Sequence, residues 1–240
     1  MVFERSHHQT IAQLLYALNG SLLRESHCLF GGGTAMAMRF GEYRESVDVD
    51  FLVSDAVGYR HLRQLVREHD SLVPLMREAA PPFELLREIR TDQYGIRALV
   101  EVASTPIKLE IVLEGRMTLD LPSPDDEVCG IATLSLADMA ASKLLANADR
   151  GLDDSTFNRD LVDLAMLAPG SSVLRKALVK SETAYGKDIR RDLVKSVERL
   201  RSRDGWLELC MQQLAVHLPK ATVWQRVRNL MRAVERIEVA

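Results

Sequence analysis

Asp48 and Asp50 stand one residue apart in Val47-Asp48-Val49-Asp50-Phe51, alternating with apolar neighbours. That pattern reads as a β-strand, on which side chains at i and i+2 share a face about 7 Å apart, so both carboxylates reach one divalent cation or a pair of them. Upstream, Cys28-Leu29-Phe30 reads as a short strand that runs into Gly31-Gly32-Gly33, and Thr34 opens the helix-forming stretch 35–40. Glycines let backbone amides approach a phosphate with no Cβ in the way. The start of the next helix adds donors and partial positive charge, and Thr34 adds a hydroxyl. The lysine and spacing of a P-loop are missing. Alone, the glycines describe a tight turn and D-x-D an acidic strand face; the combination is what points to metal-assisted phosphate chemistry.

A third carboxylate is available in Lys108-Leu109-Glu110-Ile111-Val112, a further β-like run. Nucleotidyl and phosphoryl transfer commonly use two metal ions, and three carboxylates are a natural minimum for holding them. Glu114 shares the Glu110 face and competes for the role; Glu110 ranks first because it sits mid-run, whereas Glu114 precedes Gly115. In the second half, Lys143, Asn147 and Arg150 fall at helical spacing, a row able to meet triphosphate charge, with Arg159, Asp160 and Asp163 beyond it. A solvated helix face is the ordinary alternative for such a row. The six histidines form no ligand set, His7-His8 reads as a disordered terminus, and the three scattered cysteines read as buried free thiols.

The elements that must position these groups follow from periodicity. Ile11, Leu14, Leu15, Leu18 and Leu22 predict one amphipathic helix over 8–24, and 56–69 is helical by composition. Strands are expected at 83–89, 96–103 and 107–113, with a brief apolar run at 128–134. From Ser135 the chain reads as helical almost to its end, and Trp224, Val227, Met231 and Val234 form a stripe read as core. Strands in the first half and helices in the second predict an α+β domain over 1–135 and a helical domain over 136–240. Residues 1–135 carry 13 Lys and Arg against 20 Asp and Glu, and residues 136–240 carry 18 against 14. The densest basic stretch, 175–203, reads either as a face able to track a phosphate backbone or as a solvated helix surface. No run of apolar residues is long enough for a membrane span and the start lacks a signal-peptide pattern, which predicts a cytoplasmic protein.

The segment FGGGTAMAMRFGEYRESVDVDFLVS resembles the signature of the AbiEii/AbiGii abortive-infection toxins, within the polymerase-beta-like nucleotidyltransferase superfamily. The stretch from Lys143 to Asp163 resembles that family's second signature, so the likeness spans about 31–163. The resemblance implies a nucleotidyltransferase-like mixed sheet with flanking helices, followed by a C-terminal helical domain. It implies that Gly32, Gly33 and Thr34 cradle the triphosphate of an NTP and that Asp48 and Asp50 bind Mg²⁺. It further implies that Lys143 and Asp160 are needed for activity. Glu110 stands where the superfamily usually carries aspartate and reaches one methylene further. The implied setting is the toxin of a toxin–antitoxin or phage-defence system, with a separately encoded antitoxin as partner and tRNA 3′ ends as acceptor in some relatives. Two other classes are compatible with the residues: a catalytically inactive module that binds nucleic acid or antitoxin, and a regulator that binds NTP without transfer.

Overall fold

The computed structural model describes residues 2–237. A mixed α+β fold results, and the chain divides into two compact units. One takes in the chain up to Glu42 together with Ser46–Ser135; the other takes in Tyr43–Glu45 and the chain from Leu136 onward.

The first unit is organised by a six-stranded mixed sheet. Its strands are β1 (Cys28–Gly31), β2 (Val49–Val53), β3 (Glu84–Leu85), β4 (Arg90–Thr91), β5 (Gly95–Val102) and β6 (Thr105–Leu113). They run in the order β1-β2-β6-β5-β3, with β4 also on β5. Only β2 and β6 are parallel; the other pairs are antiparallel. The alternation in β2, β5 and β6 sorts the two faces: Phe51, Ile96, Ala98, Val100, Ile107, Leu109 and Ile111 are buried, and Asp50, Arg97, Lys108 and Glu110 stand half-exposed on the other side. Phe30 packs on Phe51 with ring centroids 5.6 Å apart. β5 turns into β6 through Ala103 and Ser104, both left-handed as a two-residue hairpin turn requires.

Three expectations are corrected here. The helix over 8–24 is two helices, α1 (Ser6–Ala17) and α2 (Gly20–Glu25). The chain breaks at Leu18-Asn19, the Asn19 side chain caps α2 by accepting from the Leu22 amide, and a Cβ on Gly20 would strike the Gly130 carbonyl oxygen. His7 and His8 are ordered members of α1, and His8 is fully buried with Nδ1 2.7 Å from Glu42 Oε1. The strand over 83–89 shrinks to β3 and β4, because Leu86, Arg87 and Glu88 are exposed and have no core to face. Elsewhere in this unit α3 (Gly32–Arg39) and α4 (Ala56–His69) form as the sequence indicates, and β7 (Glu127–Val128) and β8 (Ile131–Ala132) make a separate hairpin.

The second unit carries the helices α5 (Leu136–Arg150), α6 (Arg159–Leu167), α7 (Ser171–Tyr185), α8 (Asp188–Ser202), α9 (Trp206–Gln213) and α10 (Lys220–Glu235). Leu144, Leu145, Leu161, Leu164, Leu174, Leu178, Leu193, Val223 and Val227 fill its core. Within the α10 stripe Val227 and Val234 are buried, while Trp224 and Met231 are half-buried. No helix among the described residues is long and apolar enough to cross a membrane.

Candidate active site

The glycine turn and the D-x-D segment meet in the first unit. β1 ends at Gly31, whose cross-strand partner is Asp50. Gly32 follows with φ +67°, and a Cβ there would collide with the Asp50 carboxylate, so the turn is glycine both for its backbone angle and for that close approach. Gly32 opens α3, and the first amides of a helix have no intrahelical acceptor, which leaves this end suited to anions. Thr34 departs from the expectation of a phosphate-facing hydroxyl. It is 1% exposed, and its hydroxyl donates to Ser46 Oγ at 2.8 Å. Thr34 thereby ties the start of α3 to the loop that delivers Asp48. Val47 is exposed and Asp48 precedes β2 rather than lying in it, so the strand begins one residue before Asp50.

Glu110 is the cross-strand partner of Asp50 on the parallel neighbour β6. Glu114 lies past the end of β6 and is buried, with its carboxylate taken by the backbone amide, Nε and Nη2 of Arg116. Burial acts to raise the Glu114 pKa, and the Arg116 hydrogen bonds outweigh it and hold the carboxyl below its ordinary value. The carboxylate beside Asp50 is therefore Glu110. Its oxygens are engaged by Lys108 Nζ at 2.6 Å and by Arg97 Nε at 3.3 Å. The hydrogen bond to Glu110 raises the Lys108 pKa, and the charges of Glu110, Asp48 and Asp50 add to that against partial burial. Among the described residues no three His, Cys, Asp or Glu side chains converge as a ready metal cluster. The expected set of three carboxylates is thus an Asp48–Asp50 pair beside a Glu110 that two cations compensate, because neighbouring carboxylates repel and a cation on the same face lowers that cost. The pair supplies hard oxygen donors and Asp50 lies against the glycine turn, an arrangement that fits a divalent cation such as Mg²⁺ bound beside a phosphate.

The second unit holds Lys143, Asp160 and Arg150, and they form a buried ionic cluster rather than an open cationic row. Lys143 is 5% exposed, with Nζ 2.9 Å from Asp160 Oδ1 and 2.7 Å from Asp163 Oδ2. Arg150 donates from Nε and Nη2 to Asp160 at 2.7 and 3.1 Å and keeps its side chain partly open to solvent. Asn147 is buried against Gly151. Asp163, fully buried, accepts from Tyr43 Oη at 2.8 Å and from Arg44 Nε and Nη2 at 2.6 and 2.9 Å. Burial acts to raise the pKa of Asp160 and Asp163. The charges of Lys143 and Arg150 on one, and of Arg44 and Lys143 on the other, prevail and hold both carboxyls below the ordinary range. Tyr43 and Arg44 were not singled out from the sequence, although they sit in the loop just before Asp48.

The basic stretch 175–203 also reads differently once folded. Arg190 donates to Glu182 and to the carbonyls of Val234 and Ile237 at the end of α10. Arg191 and Lys195 pair with Asp188 and Asp192, and Arg199 and Arg203 pair with Asp154. Local carboxylates and helix-end carbonyls take up much of the charge that composition presents as a face.

Comparison with known proteins completes the description. The family model described as "Nucleotidyl transferase AbiEii toxin, Type IV TA system" matches residues 13–229. Two crystal structures are similar in fold, each at 19% identity and a TM-score of 0.52. One is described as a "putative nucleotidyltransferase from H. pylori", with 100% of both chains covered. The other is JHP933 from Helicobacter pylori, with 98% of this chain and 96% of that one covered. No curated protein matches the chain.

Proposed function

The chain belongs to the AbiEii family of nucleotidyl transferase toxins of type IV toxin–antitoxin systems, and from that premise we propose that it transfers an NMP from an NTP to an RNA hydroxyl, with tRNA 3′ ends as the acceptor. Support comes foremost from the close approach of Asp50 to Gly32, which sets a carboxylate against the start of α3, an end suited to anions. In this reading the amides of Gly32, Gly33 and Thr34 receive the triphosphate, and Asp48 and Asp50, with Glu110 beside them, hold Mg²⁺. Bound there, the metal would neutralise charge on the phosphates. The acceptor oxygen forms the new bond to the α-phosphorus, the bond from that phosphorus to the β-phosphate oxygen breaks, and pyrophosphate leaves with the electron pair. The proton of the hydroxyl passes to Glu110. Arg150, the cluster member most open to solvent, is the one whose guanidinium is available to a phosphate group. Lys143 and Asp160 act through the buried cluster, whose Arg44 lies four residues before Asp48 in the chain. A separately encoded antitoxin is the partner that family membership implies.

The test is transfer of label from α-labelled NTP to total RNA by the purified protein and by Asp50→Ala, with folding checked by circular dichroism. Transfer by the wild type and none by the folded variant supports the reading. Equal transfer by the variant removes Asp50 from the chemistry, and NTP binding without pyrophosphate release by the wild type identifies a regulator instead.

A further inference from the structure

One row of residues crosses the sheet of the first unit: Gly31 on β1, Asp50 on β2, Glu110 on β6, Arg97 on β5 and Arg90 on β4, each the Cα partner of the next. Residues paired in this way project to one face, and the alternation of β2, β5 and β6 makes it the half-exposed face. With strands about 4.8 Å apart, Arg97 stands about 10 Å and Arg90 about 14 Å from Asp50 along the row. Lys108, two residues before Glu110, adds a third cation on the same face. The row is therefore polar in a chemical sense: glycine turn, then carboxylates, then cations.

The cations differ in what holds them. Arg97 is fixed between Glu110 and Asp92, with Nη1 2.9 Å from Asp92 Oδ2. Lys108 is held by Glu110. Arg90 is exposed, and its side chain has no hydrogen-bond or ion-pair partner among the described residues. The acids Glu84 and Glu101 face each other four residues further along β5, so the positive end of the face is confined to the level of the carboxylates.

Two substrates must meet at the carboxylates, and the glycine side is taken by the triphosphate in the function proposed above, on which this inference rests. We propose that Arg90, Arg97 and Lys108 form the acceptor subsite and that they bind the phosphodiester backbone of an RNA chain next to its reacting hydroxyl. Guanidinium forks match phosphate oxygens two at a time, and backbone contacts of this kind set position without reading sequence. A hydroxyl on an unphosphorylated protein or small molecule offers no phosphates to such a row.

The experiment uses the full chain and fluorescently labelled deacylated tRNA, with affinity measured against salt for wild type, Arg90→Gln, Lys108→Gln and Arg60→Gln. Arg60 is exposed on α4, is not a member of the row, and controls for general charge. Loss of one phosphate contact is expected to weaken binding about three- to tenfold and to reduce the salt slope by about 1 in Arg90→Gln and Lys108→Gln, with Arg60→Gln unchanged. Steady-state kinetics of Arg90→Gln should show a raised KM for RNA and an unchanged KM for NTP. Equal effects of Arg90→Gln and Arg60→Gln, or a raised KM for NTP alone, overturn the subsite. A wild type that transfers NMP to protein or a small molecule and does not bind tRNA also overturns it while leaving nucleotidyl transfer standing; absence of any transfer overturns the function itself.

Discussion

Replacing Asp163 by alanine should be among the most damaging single changes in the second unit. The carboxylate is fully buried and all its contacts are charged or polar: Tyr43 Oη and Arg44 Nε on one oxygen, Arg44 Nη2 and Lys143 Nζ on the other. Without it, among the described residues, the buried Arg44 guanidinium keeps only the Glu45 carbonyl at 2.7 Å, and Lys143 keeps only Asp160 at 2.9 Å. Removing one partner of a buried ion pair costs about 3–5 kcal/mol, because the remaining charge stays desolvated. With a urea m-value of about 2 kcal/mol/M, that is a drop in midpoint of about 1.5–2.5 M. The pH dependence follows with a definite sign. Asp160 and Asp163 have folded-state pKa values below their unfolded ones, so their contribution is full above the unfolded value of about 3.9 and is lost as pH falls through the folded values. Wild type should therefore lose more stability than Asp163→Ala between pH 6 and pH 3. The double variant Arg44→Met, Asp163→Leu, which removes both charges of the pair, should recover much of the loss. Urea melts followed by circular dichroism measure all three, and an Asp163→Ala midpoint equal to wild type would refute the reasoning.

Gly32→Ala should cost about 1–3 kcal/mol and abolish transfer, since it places a Cβ at φ +67° against the Asp50 carboxylate; a variant with wild-type turnover would contradict the glycine–aspartate contact. Arg190→Ala should destabilise the folded chain by about 1–3 kcal/mol in thermal melts, because it strips the carbonyls of Val234 and Ile237 of their donor, whereas a purely RNA-facing arginine would leave the melting temperature unmoved. Native protein should resist thiol alkylation at pH 8 and react at all three cysteines in denaturant: burial raises the Cys28 and Cys129 thiols and pushes Cys210 up to about 12. Mass spectrometry after iodoacetamide treatment reads that directly, and native labelling of Cys28 would contradict its burial.

What the sequence discloses is whatever depends on near neighbours. The glycine turn, the helix that follows it, the strand around Asp50 and the alternation of β5 and β6 all rest on local pattern, and the α+β class followed from them, whereas the mixed sheet was implied by the family resemblance. Pairing across the sheet does not, since Glu110 becomes the neighbour of Asp50 through a register set sixty residues away in the chain. Lys108 had a local clue, being two residues from Glu110 and so on its face, but Arg97 and Arg90 had none. The Arg44–Asp163 pair joins residues 119 apart, which hid both the role of Tyr43-Arg44 and the burial of the Lys143 row. The break in the helix expected over 8–24 had no local signal either, because the Gly130 carbonyl that fills the side-chain space of Gly20 comes from a distant hairpin. For the basic stretch 175–203 the sequence left two readings open for a related reason: composition counts charges, and folding pairs them with carboxylates at helical spacing or on the 153–156 turn.

The central claim is that this site moves a nucleotidyl group rather than a terminal phosphate. Parallel reactions of wild-type protein and RNA with α-labelled and γ-labelled NTP distinguish the two outcomes. The account predicts α-label on the RNA, γ-label released as pyrophosphate, and both lost in Asp48→Asn and Asp50→Asn. Label from the γ-position appearing on the acceptor, or undiminished α-label transfer by both variants, would contradict it.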